Sequence, residues 1–190
     1  MILSIIRHGL TQANERRLYC GHTDVPLSEQ GKQDLMVIKD TVAYPVADVF
    51  ITSGLIRTSE TLRILYDREP DLVIEEFKEL NHGDFEMKSY DELKDKPEYQ
   101  RWIGDTYNEA APGGESRAAF DKRVMTGFDK LLCIDADSAV VVCHGGVIVS
   151  IMEWLFPGQR NFYQWQPRNG RGYTLDVTLS NNNAVLISEI

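Results

Sequence analysis

Apolar residues in this chain fall into short runs divided by polar punctuation, and two spacings alternate along it. Leu3, Ser4, Ile5 and Ile6 form a nearly continuous apolar run stopped by Arg7-His8-Gly9, the pattern of a buried strand. Leu35, Ile38 and Val42 then recur at helical spacing behind Ser28, a residue suited to capping a helix. Val49-Phe50-Ile51 predicts a second strand, ended by Thr52-Ser53-Gly54, and Leu55, Thr58, Leu62 and Leu65 mark one face of the next helix. Leu72-Val73-Ile74 predicts a third short strand. Farther on, Ser89-Tyr90-Asp91-Glu92 has the form of a capping box, and a second short helix is expected around Tyr99–Ile103.

The second half is more regular. Ser116 precedes a convincing helix in which Phe120, Val124, Phe128, Leu131 and Leu132 keep one stripe. Ala139-Val140-Val141-Val142-Cys143 is apolar on both faces, as a central strand of a covered sheet must be. Gly145-Gly146 opens a helix through Val147–Trp154, and the segments Tyr173–Leu179 and Ala184–Ser188, joined by Asn181-Asn182-Asn183, predict a closing hairpin. Strands alternating with helices predict an α/β fold: a mostly parallel central sheet with helices on both faces, in three α/β/α layers. A length of 190 residues fits one domain spanning 1–190, with a lid-like insertion near 76–115.

Charge sharpens that picture. The formal net charge is −9, which argues against a nucleic-acid or anionic-membrane surface. Residues 1–63 balance seven basic against seven acidic side chains, whereas residues 67–115 hold six basic and fifteen acidic ones. The acidic stretch reads as a solvated insertion, and any bound anion must be held by a local cluster of cations. Cys20, Cys133 and Cys143 form no C-x-x-C pair, and no apolar run is long enough for a membrane span. The start lacks the charged region and cleavage site of a secretory signal, so the expected compartment is the cytoplasm.

Candidate chemistry gathers where strands end. Arg7 and His8 follow the first strand, Arg57 lies about one turn into the helix after the second, Glu79 follows the third, and His144 follows the Val140–Cys143 strand. In an open parallel sheet the carboxyl edge is where ligands bind. Arg7 and Arg57 offer planar forks that match phosphate oxygens, and Gly145-Gly146 at a helix start permits close backbone approach to an anion. Two histidines and a carboxylate supply a nucleophile and proton-transfer groups. Neither a Walker-type loop nor an Asp-rich metal cluster occurs, so no metal and no other cofactor is expected. Asn14 reads either as a turn residue or as a phosphate contact. His22 and His82 read as pocket rim or plain loop, and Arg171 as a turn charge or a substrate contact.

These residues carry a resemblance. Ile6-Arg7-His8-Gly9 with Thr11 and Asn14, Ser53–Thr58, Glu79–Glu86, Pro112–Ser116 and Val142–Gly146 together resemble, in order, the histidine phosphatase superfamily, also called phosphoglycerate mutase-like. Leu18–Leu27 is further similar to its small-phosphatase branch, which includes the α-ribazole phosphatases of cobalamin synthesis. Departures are Leu10 in place of Glu, Gly54 in place of Pro, and Phe85-Glu86-Met87 in place of Trp-Glu-Gly. The resemblance implies a phosphomonoesterase acting on a small phosphorylated metabolite, with α-ribazole 5'-phosphate one candidate. His8 would attack phosphorus, Arg7, Arg57 and a cationic His144 would surround the transferring group, Glu79 would move the proton, and Asn14 and Gly145 would add contacts. Phosphoglycerate mutase-type transfer and a non-catalytic phosphate-binding domain are the alternatives.

Overall fold

The computed structural model describes residues 1–178 and 183–190. One mixed sheet organises it, in the order β3-β2-β4-β1-β5-β6. These strands are β1 (Ile2–Arg7), β2 (Val49–Thr52), β3 (Leu72–Val73), β4 (Ser138–Cys143), β5 (Gly172–Thr178) and β6 (Asn183–Glu189). β3, β2, β4 and β1 pair in parallel, while β5 is antiparallel to both β1 and β6. The expected closing hairpin is present as β5 and β6; its connection at 179–182 lies outside the described residues. Parallel pairing puts the last residues of β1 and β4, Arg7 and Cys143, side by side, so the chain leaves both strands at the same edge.

Both faces of the sheet are covered, as the two-sided apolar runs require. On one face Leu3, Ile5, Val141 and Cys143 pack under α6 (Arg117–Leu132) and α7 (Gly145–Leu155). On the other, Ile6, Phe50, Val140 and Val142 meet Leu35 of α2 (Glu29–Thr41) and Leu62 and Leu65 of α3 (Ile56–Tyr66). The serine caps predicted from sequence are made: Ser28 accepts from Gly31 N–H, and Ser116 from Ala119 N–H. Two boundaries shift. The third strand stops at Val73 with both residues exposed at the sheet edge, and α3 begins at Ile56, so Arg57 stands at its second position. Two four-residue helices, α1 (Gln12–Glu15) and α8 (Phe162–Trp165), are too short for hydrophobic periodicity to reveal.

Between β3 and α6 the chain leaves the sheet through two 3₁₀ turns, then α4 (Tyr90–Leu93) and α5 (Pro97–Gly104). The capping box at Ser89 and Glu92 forms as expected. This acidic segment is more than solvated charge, because Phe85, Leu93, Tyr99, Trp102 and Ala111 bury one another in a small core of their own. Tyr19 packs against that core, with its hydroxyl 2.6 Å from that of Tyr99.

Glu86 ties the segment to the body. Its carboxylate accepts the backbone N–H groups of Gly21, His22, Thr23 and His82 at 2.9–3.2 Å. Burial alone would raise this carboxyl, but the hydrogen bonds from Thr23, Gly21, His22 and His82 outweigh it and hold the pKa below the ordinary value. A depressed carboxyl contributes stability above the unfolded value of about 4.3 and loses it as pH falls through the folded value. Glu86→Ala should therefore cost about 1–3 kcal/mol by leaving several donors unpaired. Hydrogen exchange should show amides 21–23 and 82 losing protection in that variant, and in the parent protein only at a pH below the ordinary glutamate range. Protection unchanged in both would contradict this role.

Candidate active site

The buried polar residues single out one place. His8 and His144 are almost fully buried just beyond β1 and β4, and their rings meet edge to face with centroids 5.1 Å apart. His8 is held from three sides. Its N–H donates to Cys143 O at 2.9 Å, its carbonyl accepts from Asn169 Nδ2 at 2.8 Å, and its Nδ1 lies 2.6 Å from Gly9 O. A carbonyl only accepts, so Nδ1 carries the proton and Nε2 keeps its lone pair. Gly9 N–H in turn donates to Thr61 Oγ1 at 2.9 Å, which pins the turn after β1 to α3.

His144 shares a 2.8 Å hydrogen bond between Nε2 and Ser53 Oγ, and its Nδ1 is buried without a protein partner. Arg57, 1% exposed, donates to Gly21 O and Thr23 O at 2.6 and 3.0 Å. Arg7 donates from Nη1 to Pro167 O at 2.9 Å and leaves Nε buried and unpaired. Neither guanidinium forms an ion pair among the described residues. Buried Arg57, half-buried Arg7 with its unpaired Nε and the unpartnered Nδ1 of His144 together favour an anion.

Electrostatics decide the state of the histidines. Burial first, then Arg57 and Arg7, pushes His8 well below the ordinary histidine range. Burial, Arg57, His8 and Arg7 do the same to His144. Without an anion both rings therefore favour the neutral form near pH 7, so a cationic His144 is a state that only a bound phosphoryl group would promote. An entering phosphoryl dianion acts in the opposite sense and favours the protonated ring.

Glu79 sits across the start of α7. Its Oε2 accepts from Gly146 N–H at 3.0 Å and its Oε1 from Leu80 N–H at 2.9 Å. The expectation that both glycine N–H groups face an anionic ligand is thus corrected, since Gly146 holds the protein's own carboxylate. A Cβ on Gly146 would collide with that carboxylate, and one on Gly145 would lie 2.9 Å from Gln166 Nε2 and 3.3 Å from Arg7 Nε. Glycine at both positions follows from close approach.

A cavity of about 240 Å³ opens beside Glu79 and Gly146, lined also by Tyr19, Cys20, His82 and Gln166. His82 thus lies on its wall, whereas the His22 side chain is exposed and contributes its backbone N–H to Glu86. The oxygen of Asn14 is taken by Thr11 in the cap of α1, leaving only its Nδ2 for another partner. Arg171 lines a different depression, with Tyr173 and Glu189. Ser53, Thr61, Gln166 and Asn169 were not singled out as site residues from sequence. Ser53, Gln166 and Asn169 share a polar side chain close to a strand or helix end, whereas Thr61 is mid-helix and carries no such signal.

Lowered histidine values give a pH signature. At pH 6 a histidine of ordinary pKa, about 6.5, is roughly three-quarters protonated. The ring signals of His8 and His144, assigned through single His→Gln variants, should keep neutral-imidazole shifts from pH 7.5 to 6. Because the unfolded chain binds these protons more readily, their contribution to stability should fall as pH drops below about 6.5. A midpoint near 6.5 for either ring would contradict the burial argument.

The family model described as "Histidine phosphatase superfamily (branch 1)" matches residues 3–189. The adenosylcobalamin/alpha-ribazole phosphatase of Escherichia coli K12 is 31% identical, over 98% of this chain and 94% of its own length. The Salmonella typhimurium enzyme of the same name is also 31% identical, over 78% and 76%. The crystal structure of the alpha-ribazole phosphatase from Shigella flexneri superposes with a TM-score of 0.87 at 27% identity, over 98% of this chain and 94% of that one. The ordered motifs, the sheet and these relatives agree: the chain belongs to the histidine phosphatase superfamily and is a phosphatase of the phosphoglycerate mutase-like fold.

Proposed function

We propose that this enzyme hydrolyses a small phosphorylated metabolite through a phosphohistidine at His8, with α-ribazole 5'-phosphate the first substrate to test. The observation that carries the reading is the setting of His8: buried, its Nδ1 held by Gly9 O, beside buried Arg57 and half-buried Arg7, which with burial favour the neutral ring. Such a ring presents the Nε2 lone pair to phosphorus without a competing proton. The substrate comes from the names of the relatives.

In the first step the His8 Nε2 lone pair forms a bond to phosphorus while the ester P–O bond breaks. Arg7, Arg57 and His144 offset the charge on the equatorial oxygens, the task that phosphoryl transfer chiefly sets a protein. Glu79 gives a proton to the departing alkoxide. In the second step Glu79 takes a proton from water, the water oxygen attacks phosphorus, and the N–P bond breaks to release inorganic phosphate. Asn14, through Nδ2, and Gly145 are further phosphate contacts in this reading. The roles need neither metal nor organic cofactor. We place the activity in the cytoplasm, because doubly charged metabolites do not cross bilayers and remain where they are made.

Two measurements test this. His8→Ala should abolish the acid-labile, base-stable phosphoenzyme and nearly all turnover. Glu79→Gln should lower hydrolysis of an alkyl phosphate by about 10²–10⁴-fold, the usual weight of a proton-transfer group. Phosphorylation by p-nitrophenyl phosphate, whose leaving group needs no proton, should fall much less. Equal loss with both esters would remove Glu79 from this role, and turnover in His8→Ala would remove the phosphohistidine.

Ranked by kcat/KM with excess EDTA present, a panel of α-ribazole 5'-phosphate, sugar phosphates, phosphoglycerates and nucleotides should put α-ribazole 5'-phosphate first. Loss of all activity in EDTA with recovery on adding magnesium would contradict the metal-free scheme. Interconversion of phosphoglycerates faster than phosphate release would indicate transfer in place of hydrolysis.

A further inference from the structure

The cavity beside Glu79 has a wall that chemistry on the phosphoryl group does not explain. Its lining is mostly apolar or aromatic, with Leu18, Tyr19, Leu80, Phe120 and Phe162 contributing. Among the described residues lining it, Arg117 is the one guanidinium. At the first position of α6, Arg117 has its guanidinium carbon 5.8 Å from the Phe120 ring centroid and 5.4 Å from that of Phe162. A lone arginine on an aromatic wall would ordinarily select a second anionic group on the substrate.

Here that charge is cancelled twice over. Arg117 Nε donates to Asp121 Oδ1 at 2.6 Å, and Nη2 to Glu153 Oε2 at 3.1 Å. Asp121 is fixed in turn by Ser150 Oγ at 2.7 Å, so α6 and α7 hold the arrangement between them. With Glu79 on the same cavity, the local set carries a net negative charge. The histidine on the wall is His82, whose pKa is lowered by burial, which favours the neutral ring at pH 7; burial likewise raises the Cys20 thiol and keeps it uncharged.

We propose that Asp121 and Glu153 are specificity-determining residues: by neutralising Arg117 they bar substrates whose leaving group carries a second negative charge and reserve the cavity for an uncharged alcohol. This rests on the cavity beside Glu79 being the leaving-group side of the site just described. The physical basis is that a carboxylate or second phosphate entering the cavity would be stripped of water with no unpaired cation to receive it. Neither carboxylate touches the reacting atoms, so both act through Arg117 and through the field at the wall.

A matched pair of substrates isolates the effect. Glycerol 3-phosphate and 3-phosphoglycerate share a three-carbon skeleton and differ in an uncharged hydroxymethyl group against a carboxylate. The parent enzyme should favour glycerol 3-phosphate in kcat/KM. Glu153→Gln should shrink that preference about threefold, chiefly through a lower KM for 3-phosphoglycerate, as expected for removing one negative charge at a partly exposed wall that solvent screens. Arg117→Gln should move the preference the other way, because it leaves two carboxylates uncompensated. Opposite signs from the two variants exclude a purely structural effect, which would depress both substrates together and leave the ratio unchanged. A parent enzyme that prefers 3-phosphoglycerate, or a ratio unmoved in both variants, would overturn the proposal. Phosphoenzyme formation measured in the same preparations with p-nitrophenyl phosphate separates that outcome from failure of the phosphatase mechanism.

Discussion

Two guanidinium groups held against backbone carbonyls, Arg57 buried and Arg7 half-buried, are the constraint on which the rest of this protein depends. Arg7 is held by Pro167 O and Arg57 by Gly21 O and Thr23 O, and among the described residues neither forms an ion pair with a carboxylate. Removing a cation from water is costly, and carbonyl dipoles offset only part of that cost. The uncompensated charge is what an anionic substrate supplies. After burial, which is the larger cause, the guanidinium charge also lowers the pKa of His8 and His144, so the charge that creates the anion site helps to prepare the nucleophile. Of the fifteen acids in residues 67–115, Glu79 reaches Gly146 beside the site and Glu86 is taken up by the Gly21–Thr23 amides.

The loop at Gly21–Thr23 shows how the insertion and the site are joined. Its N–H groups point to the Glu86 carboxylate and two of its carbonyls to the Arg57 guanidinium. Peptide dipoles between an anion and a cation are favourably aligned from both ends, which fixes the loop more firmly than either partner alone. A Cβ on Gly21 would strike Leu80 O, so the loop also lies directly on the backbone next to Glu79. Loosening Glu86 should therefore be felt at Arg57 and Glu79, although Glu86 itself takes no part in the chemistry. Met87, next in sequence, adopts φ 59° where the family pattern has glycine, a local strain of about 1 kcal/mol.

Proton and charge assignments at the site come from close packing more than from residue type. Glu79 is aligned by Gly146 N–H, and the same glycine lacks the Cβ that would displace it. His8 is aligned by Gly9 O, itself held through Gly9 N–H by Thr61. Such a chain of short contacts holds a nucleophile in one tautomer and one orientation, the preorganisation that phosphoryl transfer requires. The Arg117 cluster follows the same logic at the leaving-group wall, where three charged side chains from two helices set what the cavity accepts.

The sequence by itself determined the layers and the edge at which chemistry would sit. Runs such as Ala139–Cys143, apolar on both faces, can only be central strands, and the groups that follow them must emerge at a carboxyl edge. His8, Arg57, Glu79 and His144 were legible for that reason, as were the caps at Ser28, Ser89 and Ser116, because those signals are local. Tertiary structure alone decided the tautomer of His8, the neutrality of His144, the capture of Gly146 N–H by Glu79 and the masking of Arg117. Each depends on partners far apart in the chain, such as Asn169 with His8 or Arg117 with Glu153, and on burial that no residue shows alone. Hydrophobic periodicity records which face of an element is buried, whereas the state of a charge is set by every group that folding brings around it.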